Sequence, residues 1–456
     1  MAQADTLFRY SLPSAVSSGG ESRVDLATWT PTEPGTGLNP YFFSGFAERA
    51  DLVACGILAV AQVASSRYFE PMTSARRHAI LDPVVTSDGE RLRFESFSMC
   101  CGVHARLDVE GEGLDGAFIS TGTTNVDVNP PLRQALARIL RGAPLRLSVG
   151  TDEFAVETMN GRIVEKKVKL PDRWVRGFGE TQVAQSRMSE RLKLSGTEAA
   201  RLVRSLPRSN REPVWIEQIG PSWRFASEAT ADAVAVVGGE RLQAIASLLA
   251  SVERLTVYAP VVSTSTAGPS TWEFDFGAVR LSLTMSAAPS RGFSGEGGVL
   301  ASLSNDEVDG TERAVDATFA VQPLLTVDQI ALQLGAGADH IRQKLDVLAA
   351  SGRIGFDLNR GSFFRRLLPV GEATLDALNP RLRKAVDLLE ADAVSFDQSG
   401  LRATVASGDH HHIVNLLGPV VTGARCTCPW YAKHRGERGP CKHVLAAVSH
   451  VRARRP

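Results

Sequence analysis

The sequence predicts an α+β protein built from several units. They are a mixed α/β N-terminal body, a helix–turn–helix with a following hairpin, and a small C-terminal hairpin-plus-helix unit held by metal. Three observations point there. Strand-like alternation and helix-like periodicity are mixed from residue 50 to about 320, without a convincing internal repeat. From Val321 the pattern changes to two short helices and two short strands. Near the C-terminus, three of the chain's six cysteines crowd together as Cys426, Cys428 and Cys441.

The 456 residues suggest about three domains at roughly 150 residues each. The composition shifts place boundaries at 1–170, 171–320, 321–370 and 371–456. Apolar residues make up 43% and charged residues 22%, enough to bury more than one core. The formal net charge is zero, so any nucleic-acid role must come from a local patch and not from bulk charge. "MAQADTLFRYSLPS" lacks the basic start and apolar run of a secretory signal. The longest apolar stretch, Leu52 to Ala61, is about half of the ~20 residues a membrane span needs. Unevenly placed cysteines in a chain of this size do not form a disulfide framework. A reducing, cytoplasmic setting without a membrane role is the expectation.

Residues 1 to about 40 are rich in Gly, Pro and Ser and read as loops or an arm laid over the fold. A buried helix is expected from Ala50 to about Ser65. "LRFESFSMCCGVHARLDV" and "FISTGTTNVDV" alternate like strands. "NPPLRQALARILRG" is a helix capped by Asn129, with Pro130 at its first position and Gly142 as its stop. Leu132, Leu136, Ile139 and Leu140 form its apolar stripe. Asn160-Gly161 joins a hairpin. "SGTEAARLVRSL" and "ERLQAIASLLASVERL" read as helices, "STWEFDFGAVRLSLTMS" as two strands, and Ser286 to Gly298 as a long loop.

After Val321, Thr326 caps a helix with Val327, Ile330 and Leu334 inward. A second helix carries Ile341, Leu345 and Leu348 on one face, and Gly352 ends it. Two strands around "LNRGS" follow. The order resembles a winged helix-turn-helix. The second helix is expected to expose His340, Arg342, Gln343 and Lys344, but also Asp339 and Asp346, which is only weakly basic for a DNA reader. A helix starting at Asn379-Pro380 connects this unit to the cysteines.

In an extended segment, Cys426 and Cys428 point to the same side. "GPCKHVLAAV" reads as a helix start, whose free N–H groups and dipole favour a thiolate at Cys441. His443 adds an imidazole nitrogen. Three cysteines and one histidine match tetrahedral Zn2+. With no further ligand or general base in reach, one closed structural zinc ion is expected. Three thiolates and a neutral imidazole leave a net charge of −1, which Arg425 and Lys442 flank.

Cys-x-Cys, twelve residues, then Cys-x-His, set in "CTCPWY" and "GPCKHVLA", resembles the SWIM zinc finger. The resemblance carries Cys426, Cys428, Cys441 and His443 over as zinc ligands and covers about the last fifty residues. It implies DNA binding or protein–protein interaction and no reaction. "PYFFSGF", "LDPVVT", "FSMCCGVHARLD", "GTTNVDVN" and "KKVKLPDRW" look similar to long bacterial SWIM proteins. These tend to be encoded beside MoxR-type AAA+ ATPases and von Willebrand A-domain (VWA) proteins, which implies a possible protein partner.

From Leu401 to Pro456 there are nine basic residues and two acidic ones, a balance of +7. The loop between the cysteine pairs interleaves Trp430 and Tyr431 with Lys433, His434, Arg435 and Arg438, next to Lys442. Cations for phosphates and aromatics for bases make a nucleic-acid face, and the same residues suit an acidic protein. His410, His411 and His412 read as residues of a surface hairpin, with metal binding as the alternative. Cys101 with His104, or the polar loop around Asn125, Asp127 and Asn129, would be the site of an enzyme. No Walker A, Rossmann, HExxH or GxSxG motif is present. The expected function is a non-enzymatic zinc-binding protein that binds nucleic acid or protein.

Overall fold

A computed structural model describes residues 41–69, 83–126, 128–150, 153–168, 170–261, 267–305, 310–368 and 378–454, with the backbone of short strands between residues 9 and 30. The rest of the arm expected over residues 1–40, and Asp127, lie outside the described residues.

An eight-stranded antiparallel sheet is the centre of the body. Its order is Gly122–Asn125, Val84–Ser87, Arg91–Phe97, Val103–Glu110, Val279–Met285, Ser270–Asp275, Arg254–Ala259 and Ser189–Ser195. A five-stranded sheet runs Gly161–Lys166, Glu153–Thr158, Arg146–Gly150, Tyr41–Ala47 and Leu114–Phe118. Asn160-Gly161 turns its outer hairpin, with Gly161 at φ +123°. Four strands of each sheet share one plan: three consecutive strands joined by hairpins, with an earlier strand paired to the first of them. This duplication is invisible as sequence similarity, because it lies in pairing order and not in residue identity.

The helix Ala50–Ser65 forms as expected and packs on Arg91–Phe97 and Val103–Glu110. Gly56 permits the approach, since a Cβ there would stand 2.5 Å from Leu107 Cδ1. Asn129 caps the helix Pro130–Ala137 through a 3.0 Å bond from the Leu132 amide. That helix ends before the expected stripe is complete. Tight i→i+3 bonds from Arg138 and Ile139 rotate the chain out of phase, so Leu140 is 73% exposed. "ERLQAIASLLASVERL" is likewise not one helix. It forms 3-10 turns at Gly239–Ile245 and Leu249–Ser251. There the buried Arg241 guanidinium bonds the Val237, Gly238 and Ser286 carbonyls and holds the tighter path.

The alternating strands differ most from expectation. Arg91–Phe97 is buried along its whole length, as is Val103–Val109, so the polar side is covered too. The cover is the segment after residue 310. It contains helices Thr311–Val321, Val327–Leu334 and Ala338–Ala350, and strands Ile354–Asp357 and Ser362–Arg365, with Leu324–Leu325 completing a three-stranded sheet. Thr326 and Gln329 form a reciprocal capping box.

The hairpin of this segment lays Asp357 onto the sheet's arginines. Asp357 meets Arg91 at 3.2 Å, Arg93 at 3.6 Å, Arg280 at 3.7 Å and Arg106 at 3.8 Å. Asp88, Asp108 and Glu110 pair with the same guanidiniums. Arg366 clamps Glu95 at 3.0 Å, and His104 approaches that carboxylate at 3.3 Å. Burial pushes the Asp357 carboxyl up, but Arg106, Arg93, Arg280 and Arg91 together overcome it and hold the group well below the usual carboxylate range. Glu95 is lowered in the same way, its burial outweighed by Arg366 and His104.

The helix Asp172–Gln185 joins the layers. Trp174 and Phe178 are buried against Phe97, and the helix packs on Ala338–Ala350. Its two central glycines and polar residues hide it from periodicity analysis. Gly179 is needed, because a Cβ there would lie 3.1 Å from the Ala349 carbonyl oxygen.

Asp357 and Glu95 have folded values below the ~4 of an unfolded carboxyl, so the stability they contribute is present above about pH 4 and is lost as pH falls. The thermal midpoint should drop below that pH, and the drop should be smaller in Asp357→Asn. At neutral pH the same variant should lose about 3–5 kcal/mol, because it leaves buried guanidiniums uncompensated. Thermal unfolding followed across pH 3–7 checks both.

Candidate metal centre

The C-terminal unit has an apolar core that Leu300 of the helix Gly298–Asn305 also enters. Strands Val394–Phe396, Arg402–Ser407, His410–Asn415 and Arg425–Cys426 form a four-stranded sheet. Helices Pro380–Glu390 and Lys442–Ala453 pack together against it around Ala403, Val405, Val414, Leu445 and Val448.

The chain brings the four ligands together as follows. Cys426 ends the short edge strand paired to Val414. Pro429 then starts the helix Pro429–His434 instead of a loop, and Cys428 is its cap. The Cys428 sulfur accepts the Tyr431 amide at 3.4 Å. Cys441 caps the last helix, and His443 sits in its first turn. All four are buried, and their donor atoms lie within 4.8 Å of one another. Cys426 Sγ and His443 Nδ1 are 3.8 Å apart. Zinc–ligand bonds of about 2.3 and 2.0–2.1 Å at a tetrahedral angle put sulfur and nitrogen roughly 3.6 Å apart, so the residues fit the ion.

The thiols are electrostatically linked. Hydrogen bonds from Cys426 and Cys441 pull Cys428 far below the thiol range, and the bond to Cys428 pushes Cys426 up. Three cysteine sulfurs packed this closely in a buried cluster can all ionise only around a cation. Among the flanking cations, Arg425 is exposed, and Lys442 donates to Ser407 Oγ at 2.8 Å. The cation that sequence reasoning missed is Arg381, from the first turn of Pro380–Glu390, which interacts with Cys441. The Asn379-Pro380 helix start marked this turn, but nothing in the sequence pairs it with the cysteines.

The loop residues divide into two groups. Trp430 is half-buried beneath Arg381 at 4.7 Å, with Arg438 at 5.5 Å and His434 at 4.3 Å. Arg438 also pairs with Glu296 at 3.1 Å and donates to the Gly295 carbonyl at 3.0 Å. Arg381 donates to the Arg438 and Pro440 carbonyls and to Gly295 and Glu296 across the seam. These side chains fasten the finger to the body. Lys433 and Arg435 are exposed and make no ion pair among the described residues. Tyr431 lies between the two groups, half-buried.

His434 stands apart from the four-ligand cluster. His412 stacks on His443 at 4.3 Å, and His410 is 6.4 Å from His412 on the same strand. Cys101 is buried at φ +53°, with its thiol pushed up by burial. His104 is occupied by Glu95 and the Phe97 ring. Asn125 is buried and donates to the Val168 carbonyl. The face expected on the second helix of the 310–368 segment is partly inside. Lys344 is buried, Gln343 donates to the Ser302 carbonyl, and Asp346 accepts from Ser302 Oγ, because this side packs on Gly298–Asn305 and Asp172–Gln185.

Residues 412–452 match the SWIM zinc finger family. No curated protein matches the chain. Among solved structures, the chain is similar to proliferating cellular nuclear antigen from Entamoeba histolytica at TM-score 0.36 and 11% identity, over 54% of this chain and 98% of that one. It is similar to the C. crescentus beta sliding clamp at TM-score 0.34 and 13% identity, over 54% and 64%. Both scores are low and say nothing of activity or assembly. No helix among the described residues is long and apolar enough to cross a membrane.

Wild-type protein should carry one zinc per chain by elemental analysis, and Cys441→Ser should lose it. The finger's small core depends on the ion for much of its folding. Chelation should therefore expose residues 400–450 to protease while the body stays intact.

Proposed function

We propose that this is a non-enzymatic, zinc-dependent binding protein whose SWIM finger binds the backbone of a nucleic acid. One observation carries the reading. Arg425 on the edge strand, Lys433 in the helix Pro429–His434 and Arg435 at its end stand in solvent without ion pairs among the described residues, and the segment between the cysteine pairs is fixed at one end by the metal ligands and at the other by Arg438 and Arg381. A rigid group of cations on a unit with a +7 balance suits phosphate contacts. Trp430 is already covered by arginines, so stacking on bases is a smaller part of the interaction than the sequence suggests. The reading is electrostatic and tolerant of sequence.

The 310–368 segment is read as winged-helix-like in element order. Its second helix lies against the body, which suits a docking or structural unit better than a groove reader. Leu332 and Val321 are 85% and 88% exposed on its other helices. They favour a second reading, an adaptor that engages a protein partner such as a MoxR-type AAA+ ATPase or a VWA-domain protein.

Anisotropy titrations with single- and double-stranded oligonucleotides between 50 and 200 mM salt test the first reading. Lys433→Ala and Arg435→Ala should each weaken binding and lower the log–log salt slope by about 0.7–0.9. Binding that ignores salt, or none at all, would sink it. For the adaptor, a MoxR-type ATPase should co-purify with wild type and be lost with Leu332→Asp. Equal recovery with both proteins removes that surface from consideration.

A further inference from the structure

The finger does not seal against the body. Between them lies a cavity of about 570 Å3, within the roughly 300–1,000 Å3 range of ligand pockets. The body supplies one wall, from Asp172–Gln185 with the residues just after it and from the 286–301 stretch. The finger supplies the other, from residues 421–424 and 431–444. The floor is mainly apolar, with Val183, Ala287 and Val444 among its residues.

The charged lining is not symmetrical in what it has left to offer. Glu180 accepts the Gly298 amide at 2.7 Å and the Val299 amide at 3.4 Å. Glu296 is held by both Arg291 and Arg438. Glu437 is exposed. Among the arginines, Arg187 is 62% exposed and has only a 3.6 Å pair with Asp346, and Arg435 has no ion pair among the described residues. The lining carries four arginines, Arg187, Arg291, Arg435 and Arg438, against three carboxylates, Glu180, Glu296 and Glu437, an excess of one positive charge.

Two more observations narrow the ligand. Arg435 takes a left-handed backbone at φ +47° as the C-cap of the helix Pro429–His434, and its exposed side chain lines the cavity. Tyr431 lines the cavity, and its hydroxyl has no hydrogen-bond partner among the described residues. A purely apolar acid would leave that hydroxyl unpaired. A bare phosphate would leave the apolar floor uncovered.

We propose that this cavity binds a nucleotide, with its aromatic base over the apolar floor beside Tyr431 and its phosphate among the arginines, of which Arg187 and Arg435 face solvent. The site shares Arg435 with the nucleic-acid reading and differs from it in that its walls include the body. The nucleotide can be free or the terminal unit of a strand.

The test uses full-length, zinc-loaded protein, titrated calorimetrically with AMP, inorganic phosphate, a 5′-phosphorylated oligonucleotide and circular single-stranded DNA. AMP should bind at least about tenfold more tightly than phosphate, and Arg187→Ala should weaken it roughly tenfold. Ala287→Trp, which fills the cavity, should abolish AMP binding and leave zinc content and circular DNA binding unchanged. If AMP is silent but the oligonucleotide outbinds the circle, and Ala287→Trp erases that preference, the occupant is a strand end and the proposal stands. Phosphate binding as tightly as AMP would overturn it. So would AMP binding that both variants leave intact, or neither AMP nor strand ends binding while circular DNA still does. That last result would leave the nucleic-acid reading in place. AMP binding without any polynucleotide binding would uphold the cavity and sink the other reading.

Discussion

The position of Asp357 is the constraint on which the rest of the body depends. Four guanidiniums, Arg91, Arg93, Arg106 and Arg280, stand on adjacent strands of one sheet face, where each pairs with Asp88, Asp108 or Glu110. Asp357 adds a carboxylate that reaches all four at once, which offsets part of the several kcal/mol per ion that burying them costs. Asp357 arrives from a hairpin some 250 residues further along and is wholly buried. The Arg93 guanidinium also lies 3.6 Å over the Phe364 ring. Such a network stabilises less than its number of ion pairs suggests, but it admits only one placement of the hairpin. Any shift strips partners from several charges at once. The 310–368 segment is therefore a fixed lid on the sheet, and its second helix is held against Asp172–Gln185.

The metal cluster plays the corresponding role for the C-terminal unit, with a different logic. Here the charges are negative and gathered by local chain geometry: an edge strand, a short helix and a helix start. The ion fixes those three pieces relative to one another. Arg381 then extends the order outward. It lies over Trp430, donates to two carbonyls of the finger loop and reaches two carbonyls of the body. A single side chain thus couples the helix Pro380–Glu390, the loop and the seam.

What was legible in the sequence follows from the range of the interactions involved. The ligands were legible because four soft residues at close spacing carry their own geometry. The caps at Asn129 and Thr326 and the turn at Asn160-Gly161 were legible because each is satisfied within a few residues. The burial of both faces of Arg91–Phe97 was not, since alternation of arginine with leucine and phenylalanine reads as one wet face. Only the distant carboxylate of Asp357 makes that face dry. The role of Trp430 was misjudged for the same reason: an aromatic among cations looks like a base-stacking surface until Arg381, fifty residues earlier, is found lying on it. Leu140 and the 3-10 turns after Gly238 show the remaining limit. Apolar spacing can suggest a helix longer than the local hydrogen bonding sustains.

The two seams of the molecule differ in a way that bears on function. The lid is joined to the sheet by buried, mutually neutralising charges, and the cleft at its rim is lined by paired charges such as Glu110 with Arg280 and Arg360. The finger has a metal-ligand cluster and an apolar core around Leu445 that Leu300 of the body also enters. It is attached through Arg438 on Glu296, Arg381 on the backbone and Arg452 on the Ser304 carbonyl, and a cavity stays open within the seam. A unit docked around an open cavity can keep unpaired cations where a sealed interface could not. Lys433 is exposed on the finger, and Arg435 and Arg187 border the cavity. The positive charge of this region is unspent because folding did not require it, which leaves it available to a ligand.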